Sequence, residues 1–224
     1  MNDQIIFIAA AVLVMGIIFF LVTYFSKKAV VKRKLKKAAG KKISDFVSGD
    51  IARVVGKVEF AGEPLIAPLS GRRCARYYIL VEEKVSSGKS SHWNTLIEEE
   101  VVGRFVIRDG RHVACIDSKN VKSYLVEDRQ YSSGYGEDAT AVLEKYLNEH
   151  GKKSEGIFGM NKTIRYKEGV LEEGEMIAVV GRGEWKNADQ VQFPNYDRVL
   201  VISSTDEEPV YLSDDPDTVK TTYA

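Results

Sequence analysis

The residues of this chain that could do metal or thiol chemistry are few and widely spaced. The 224 residues include two cysteines and three histidines, with no CxxC pair among them. A structural zinc site needs four such ligands, usually supplied as closely spaced pairs. Four of the five fall in one β-rich section: Cys74, His92, His112 and Cys115. We expect no metal there, and the apolar surroundings of both cysteines favour buried core residues over reactive thiols.

Two further patterns could bind a cation or a phosphate, but neither matches a known type of binding site. Glu98-Glu99-Glu100 could bind a cation, but such a charge run more often forms a solvated strand edge that discourages aggregation. Gly134-Tyr135-Gly136 does not follow a strand and open a helix, as a phosphate loop would. We therefore expect no catalytic residue, no cofactor and no metal, and the sequence does not favour an enzyme.

Arginine and aromatic residues near predicted loops are better candidates, because such side chains often anchor protein interfaces. The candidate interaction residues are Arg72, Arg73, His92, Trp93, Tyr131 and Tyr135. Trp93 could equally fill the core. For Trp185, at a predicted strand end, the core is the preferred interpretation.

An unbroken apolar run without charge extends from Ile5 to Phe25 near the start of the chain. As a helix its 21 residues would span roughly 31 Å, close to the ~30 Å hydrocarbon core of a bilayer. A signal peptide is the alternative. The segment before the run, residues 1–4, is not basic, and no small-residue cleavage site follows it, so we predict an uncleaved transmembrane helix.

Nine basic residues follow this run between positions 27 and 42, and no acid interrupts them. Flanking Lys and Arg stay on the cytoplasmic side of a membrane. This predicts a single-pass protein of the cell (inner) membrane, with residues 1–4 outside and the rest in the cytoplasm. Residues 26–48 are predicted to be a basic stalk beside the membrane. Its candidate lipid-surface residues are Lys27, Lys28, Lys32, Arg33, Lys34, Lys36 and Lys37.

The formal net charge of zero conceals an acidic body. Without those nine bases and Asp3, the 32 charged residues of each sign leave 23 basic and 31 acidic side chains in residues 43–224, a net charge of −8. Binding to a nucleic-acid backbone needs a cationic surface. The expected partners are therefore the lipid bilayer and a protein at the membrane, with no nucleic acid.

Hydrophobic patterning after residue 48 predicts a mainly β, α+β domain over 49–212, built of antiparallel strands. We divide it into β-units at 49–127 and 162–212, joined by a helix at 139–150. The first unit is compatible with a small OB-like barrel. One or two helices are expected in all, and 213–224 is expected to be a flexible tail.

Two segments of this domain are alike. Residues 49–60 (GDIARVVGKVEF) align without gaps to residues 174–185 (GEMIAVVGRGEW), with five of twelve positions identical. Each has a glycine inside a strand, as barrels use to turn a corner. Two related β-units meeting in one body and chance convergence are both compatible with this pattern.

The order of several motifs resembles the GIDE, or "beside a membrane", domain family over roughly residues 60–205. The motifs are Ala67-Pro68-Leu69-Ser70-Gly71-Arg72-Arg73-Cys74 with Tyr77-Tyr78, Phe105-Val106-Ile107-Arg108-Asp109, and the segment from Arg165 to Gly181. The resemblance implies a membrane-anchored β domain that serves as an interaction or scaffold module.

Eukaryotic members of that family are E3 ubiquitin ligases that add a RING, which needs about eight Cys/His ligands. This chain has five candidates, so it resembles a bacterial-type member without a RING. The alternatives that stay open are a component of an E3-like system whose RING lies on another chain, and an OB-like ligand binder.

Overall fold

A computed structural model describes residues 2–88, 90–133, 139–154, 162–193 and 195–220. Within these ranges the helices are α1 (Asn2–Tyr24), α2 (Lys27–Lys37) and α3 (Ala141–Glu149). The strands are β1 (Ile51–Phe60), β2 (Leu65–Ile66), β3 (Arg73–Cys74), β4 (Arg76–Ser87), β5 (Ser90–Val102), β6 (Phe105–Asp109), β7 (His112–Ile116), β8 (Val121–Tyr124), β9 (Arg129–Ser133), β10 (Ile164–Leu171), β11 (Met176–Asn187), β12 (Arg198–Ser203) and β13 (Val210–Ser213). The prediction of a mainly β protein with a few helices is confirmed.

Five strands close into a barrel in the order β1-β6-β7-β12-β11, with β11 returning to β1. The pairings are antiparallel except for β7 with β12, which is parallel. Fully buried branched side chains such as Val54, Val179 and Leu200 fill the interior. Closure leaves none of these five strands with an open edge along its paired length, which protects the barrel from edge-to-edge association.

We expected residues 49–127 to be compatible with a small barrel of their own. The structure differs, because these residues supply only part of the barrel. Two of its strands, β11 and β12, come from the second β section, so the two predicted units share one barrel. The reason is the long pairing of β1 with β11, from Ile51 opposite Arg182 to Lys57 opposite Met176. Without β11, one edge of β1 would carry unpaired backbone groups.

The two segments of similar sequence are the ones that pair in this ladder. Gly56 and Gly181 occupy matching positions where each strand passes from one partner to the next. A Cβ at Gly56 would lie 2.4 Å from the carbonyl oxygen of Arg108, and one at Gly181 would lie 2.7 Å from the side chain of Ile202. Only glycine allows such a close approach of the neighbouring strand.

A second sheet has the order β5-β4-β10-β9 and is covered on one face by α3. The helix lies close to its predicted position at 139–150. The Thr140 hydroxyl caps its start by accepting from the Leu143 amide at 3.2 Å, and Gly151 follows its end with a φ of 65°. Leu143 and Leu147, both fully buried, pack against the sheet.

The apolar side chains of α1 that the structure describes, from Phe7 to Tyr24, are exposed; Phe19, for example, is 72% exposed. Within the described residues, no single helix is long and apolar enough to cross a membrane. Residues Ala10–Tyr24 and α2 meet that criterion only together, as a pair bent by 60°.

Helix α2 lies on the domain instead of forming a free stalk, which corrects our expectation for residues 26–48. Val31 and Leu35 are fully buried against Val55, Ala178 and neighbouring side chains of the extended sheet. The strands under α2 are β11, β13 and β8, the last two forming an extension of the barrel sheet through a parallel pair. The two buried positions are four apart, so they share one face of the helix.

The tail also lies on the domain, as far as residue 220. Ser213 belongs to β13, and Asp215 and Thr218 are buried. The buried guanidinium of Arg53 donates to the carbonyls of Leu35 and Thr218, at 3.3 and 3.4 Å. The tail therefore packs against the end of α2, and the expectation of a flexible segment over 213–220 is wrong. Residues 221–224 are outside the described part of the chain.

Candidate functional site

The six residues proposed from the sequence for partner binding do not form one site. Arg72 is occupied within the domain, where its guanidinium donates to Asp128 at 2.7 Å and to Glu172 at 3.0 Å. These bonds tie the turn before β3 to the segment before β9 and to the segment after β10. Arg73 is exposed, and Tyr135 lies outside the described residues.

The aromatic candidates lie at separate places on the second sheet. The guanidinium of Arg165 stacks over Trp93 at 4.1 Å from the ring centre and also donates to Glu82. Trp93 is therefore half-buried on the sheet surface and does not enter a core. Tyr131, which is exposed, stacks on Tyr166 at 5.2 Å, and His92 is exposed beside Trp93.

The lysines of α2 face carboxylates of the domain. Lys32 contacts Asp215 at 2.8 Å and Asp217 at 3.2 Å, and Lys34 bonds to Glu208. The weaker contacts are Lys36 with Asp217 at 3.4 Å, Lys27 with Glu100 at 3.7 Å, and Lys28 over the ring of Tyr124. Much of the predicted lipid-facing charge is thus matched inside the molecule.

Hydrogen bonding within these pairs favours the charged form of both partners. The bond from Lys32, aided by Lys220 and Lys36, lowers the pKa of Asp217 to about 2. The bond to Asp215 raises the pKa of Lys32. Both partners therefore stay charged across the neutral range, and α2 stays fastened to the tail there.

The remaining α2 candidates differ. Arg33 turns back to α1, donating to the Tyr24 carbonyl at 2.6 Å and lying 3.9 Å over its ring. Lys37 makes no ion pair with any residue in the described ranges. Lys28 and Lys37 are the exposed α2 lysines that pair with no carboxylate in the part of the chain that the structure describes.

Glu99 lies at the centre of a cluster of hydrogen-bonded polar side chains, which we did not predict from the sequence. It accepts from the hydroxyls of Tyr77 at 3.2 Å and Tyr146 at 2.6 Å, and it lies 3.3 Å from His150 Nε2. Burial and the neighbouring carboxylate raise the pKa of Tyr77 to about 12 and also raise that of Tyr146. The phenols remain donors at neutral pH, so the cluster fastens the end of α3 to β5.

Neither cysteine is placed for nucleophilic chemistry. Cys74 and Cys115 are buried free thiols, as expected, and burial raises their pKa values to about 11 and about 12. A nucleophile or zinc ligand must be a thiolate. Among the described residues, no three of the His, Cys, Asp and Glu side chains are grouped so as to hold a metal ion.

A basic hollow opens beside Trp185 at one end of the barrel, with a volume of about 560 Å³. We define this hollow by Arg111, His112, Trp185, Tyr196 and Arg198. The β6–β7 hairpin supplies the first two, and the ends of β11 and β12 with their connection supply the others. Gly110, at a φ of 61°, forms the tight turn that presents Arg111.

Trp185 forms the fixed wall of the basic hollow. Its indole nitrogen donates to the Phe46 carbonyl at 2.9 Å, and its inner side packs on the barrel core. The guanidinium of Arg198 lies 5.3 Å from its ring centre, and the ring of His112 stands edge-on at 6.2 Å. Trp185 therefore serves the core, as expected, and also lines a cavity, which was not expected.

The connection between β11 and β12 covers the outer face of the neighbouring strands. Phe193 and Tyr196 pack over Val106 and Val113, and Arg104 donates to the Gln192 carbonyl at 2.5 Å. Both faces of β6 and β7 are therefore buried, one in the barrel and one under this connection. The continuous apolar runs of the two strands in the sequence indicate burial on both faces, but they do not identify the segment that covers the outer face.

A second cleft of about 550 Å³ lies on the other side of this connection, but its two most buried charged groups, Arg76 and Glu100, pair with each other. Arg76, which is buried, donates to Glu100 at 2.8 Å, and that carboxylate also accepts from Ser123. In the basic hollow, by contrast, neither Arg111 nor Arg198 makes an ion pair with a residue that the structure describes. The hollow is therefore the stronger candidate for binding a charged ligand.

No protein-family model matches this chain, and neither a curated protein nor a solved structure shows significant similarity to it. The resemblance to the GIDE family rests on the order of its motifs.

Proposed function

We propose that this protein is a non-catalytic interaction or scaffold module anchored in a bacterial inner membrane by α1. The β domain would lie on the cytoplasmic side, beside the membrane, and bind a protein partner there. One observation carries the proposal: α1 exposes the apolar side chains that the structure describes between Phe7 and Tyr24, and α2 fastens the domain directly to its end.

The exposure of α1 is unfavourable in water. Leu13, Phe19 and Phe20 are each at least 60% exposed, and transfer of each from water to an apolar environment is worth about 1.5–3 kcal/mol. The run from Ile5 to Phe25 has no charge to oppose insertion. A bilayer is the environment that covers such a surface on all sides.

The docking of α2 would limit how the domain moves relative to the membrane. Only Phe25 and Ser26 separate α1 from α2, and the Ser26 hydroxyl caps α2 by accepting from the Ala29 amide. Since Val31 is buried in the domain, the domain is attached within about two turns of the proposed bilayer surface. A partner in the same membrane would meet a fixed face of it.

Membrane anchoring is tested by alkaline extraction of membranes from cells that express the full chain. We expect the wild-type protein to stay in the membrane pellet and the double variant Leu13→Arg/Ile17→Arg to move to the supernatant. Two charges near the centre of the helix disfavour insertion by roughly 5–7 kcal/mol. Leu13→Ala/Ile17→Ala is the matched control. Recovery of the wild-type protein in the supernatant would contradict the anchor.

Orientation is tested by fusing a fluorescent protein that matures only in the cytoplasm to the C-terminus. We expect fluorescence, since the basic segment after α1 should stay on the cytoplasmic side. Protection of the C-terminal fusion from external protease in spheroplasts, where the outer membrane no longer excludes the protease, is the second readout. A dark fusion that protease removes would overturn the proposed topology.

Partner binding is tested by crosslinking in intact membranes, purification and mass spectrometry of the full chain. The exposed residues Arg73, His92 and Tyr131 are the positions to vary, since Arg72 is engaged in internal ion pairs. We expect a specific partner whose recovery falls in Arg73→Ala or His92→Ala. If no specific partner is recovered, or none is lost in these variants, a scaffold role for this surface is excluded.

The barrel favours a second candidate function, an OB-like ligand binder. Barrels of that class have five strands, and their inter-strand loops bind ligands at one side of the barrel. Here the loop between β11 and β12 lines the basic hollow. The test is ligand binding at that hollow, described next.

A further inference from the structure

We propose that the basic hollow is a binding site for a soluble organic anion. Arg111 and Arg198 would hold a phosphate or carboxylate group of the ligand, and its flat or apolar part would lie against Tyr196 and the guanidinium plane of Arg198. This goes beyond the interaction module proposed above, because it assigns a small ligand to the cytoplasmic domain. It does not depend on the membrane anchor.

Charge is the first argument. The body after residue 42 carries a net charge of −8, and the lysines of α2 are largely matched by carboxylates. In the hollow two guanidinium groups face the cavity beside His112, and Asp197 is the single acid that lines it among the described residues. Local positive charge on an acidic domain requires a separate explanation, and an anionic ligand provides one.

Chemical fit is the second argument. A guanidinium is planar and always charged, and its donors match the geometry of a phosphate or carboxylate in a bidentate way. The amide of Asn195 also lines the hollow and could complete the coordination of such a group, whereas the Ser44 hydroxyl donates to Asp45 at 2.7 Å. Small-molecule sites occupy about 300–1,000 Å³, and this cavity lies in that range.

Preorganisation is the third argument. The backbone nitrogen of Trp185 donates to the Ser48 hydroxyl at 3.1 Å, and its ring nitrogen donates to the Phe46 carbonyl. Arg198 already lies over the exposed side of that ring. A fixed indole and a stacked guanidinium lower the ordering cost of binding. An aromatic ligand ring could stack on the guanidinium plane or on Tyr196.

The position of the hollow favours a soluble ligand over a lipid headgroup. The chain leaves the far end of α2, the end remote from α1, and runs through residues 38–46 to reach Trp185. The segment that reaches the hollow thus starts from the end of α2 that lies away from the proposed bilayer surface. Phosphate groups of lipids and of soluble esters have the same chemistry, so the experiment must separate the two sources.

Fluorescence of Trp185 is the readout for the test. The chain has two tryptophans, so the variant Trp93→Phe leaves Trp185 as the reporter. The full chain, in nanodiscs of neutral lipid, is titrated with adenosine monophosphate, inorganic phosphate or adenosine, with excitation beyond the adenine absorption band. We expect a saturable change with the nucleotide, at least about ten-fold weaker binding of phosphate, and no change with adenosine.

Loss of either guanidinium should weaken nucleotide binding about ten-fold or more, since charged hydrogen bonds contribute about 1.5–3 kcal/mol. The variants are Arg111→Gln and Arg198→Gln. Arg182→Gln, at an exposed arginine on the same strand as Trp185 but outside the hollow, is the matched control and should bind as the parent does. Far-ultraviolet circular dichroism establishes that each variant is folded.

Three outcomes would overturn the proposal. The first is no saturable change with either anion at millimolar concentration in the folded parent protein. The second is equal loss in Arg182→Gln and Arg111→Gln, which would make the effect one of general charge. The third is a response that appears only when phosphatidic acid is added to the nanodiscs, which would assign the hollow to a lipid headgroup.

Discussion

The two cationic regions of this protein use their charge in opposite ways. On α2, lysines meet carboxylates of the domain: Lys32 lies 2.8 Å from Asp215, and Lys34 bonds to Glu208. In the basic hollow, Arg111 and Arg198 line a cavity and make no ion pair with any described residue. The first arrangement stabilises the fold, and the second leaves charge available to a ligand. Clusters of positive charge that look alike in a sequence can therefore differ in role.

The difference follows from what surrounds each region. Helix α2 lies on a β surface that ends in the acidic tail, so its lysines reach Asp215, Asp217 and Glu208. The hollow is bordered by aromatic rings and by the turn after β6. Removal of an α2 contact should therefore lower stability, whereas removal of a hollow arginine should change binding alone.

The largest expected effect is the loss of the apolar contact under α2. Leu35→Ala should lower the free energy of unfolding by about 2–4 kcal/mol, since the side chain is fully buried. Urea unfolding of the full chain in detergent, followed by circular dichroism, measures this. Val47→Ala, at a position 67% exposed, is the control and should change stability by less than about 0.5 kcal/mol. Equal effects would mean that α2 is not docked in solution.

The next effect concerns the central ion pair of α2. Lys32→Met should lower stability by about 1–2 kcal/mol, because it leaves the largely buried carboxylate of Asp215 without its cation. Lys36→Met is the matched control, since both residues of its pair are about half exposed. Chemical denaturation at neutral pH and low salt compares them. If both variants are as stable as the wild type, the α2 lysines are not structural.

Asp214, in the same tail, should destabilise the fold when it is ionised, unlike the paired carboxylates of Asp215 and Asp217. Burial, near Glu175 and Asp128, raises the pKa of Asp214 to about 7. The unfolded value is near 4, so the folded state resists ionisation, and stability falls as pH rises from about 4 to 7. Asp214→Asn should remove this slope and raise stability at pH 8, where the carboxylate of the wild-type protein is ionised.

The measurement for Asp214 is the urea midpoint of wild type and Asp214→Asn across pH 4 to 8. The amide oxygen can still accept from the Val126 amide, as the carboxylate does at 2.8 Å. Asp189→Asn, at an exposed aspartate, is a control that should leave the slope unchanged. A wild-type slope of the opposite sign that persists in Asp214→Asn would contradict burial of this carboxyl group.

The smallest stability effect is expected in the hollow itself. Arg198→Gln should change the free energy of unfolding by less than about 0.5 kcal/mol, since no ion pair is lost and its contact with Trp185 is exposed. Thermal unfolding is the measurement. A loss above 1 kcal/mol would make Arg198 a structural residue and remove the contrast with Lys32.

Much of the architecture was readable from the sequence. The alternating patterns gave most strand positions, the Asp109-Gly110 turn between β6 and β7, and the helix near 139–150. These signals succeed because side-chain periodicity and turn chemistry act over a few residues. The pairing of β1 with β11 could not be read in this way, although the similarity of the two segments was visible.

The candidate site was mostly hidden from the sequence. Arg72, which we proposed for partner binding, forms internal ion pairs instead. Arg111 and Arg198, which line the hollow, were not among the residues proposed from the sequence. Arg111 is separated along the chain from Trp185 and Arg198, and only closure of the barrel brings them to one cavity. No local spacing rule connects side chains that meet through sheet closure.

By itself, the sequence determined a charge-free apolar run, a basic segment after it, an acidic β body and the scarcity of metal ligands. These properties depend only on composition and on which residues are neighbours along the chain, so they are the same in the folded and the unfolded protein. The tertiary structure decided that the basic segment lies on the acidic tail, and that two distant β sections share one barrel. It also left Arg111 and Arg198 without a carboxylate partner among the described residues, because the partner of a charge depends on which surfaces folding brings together.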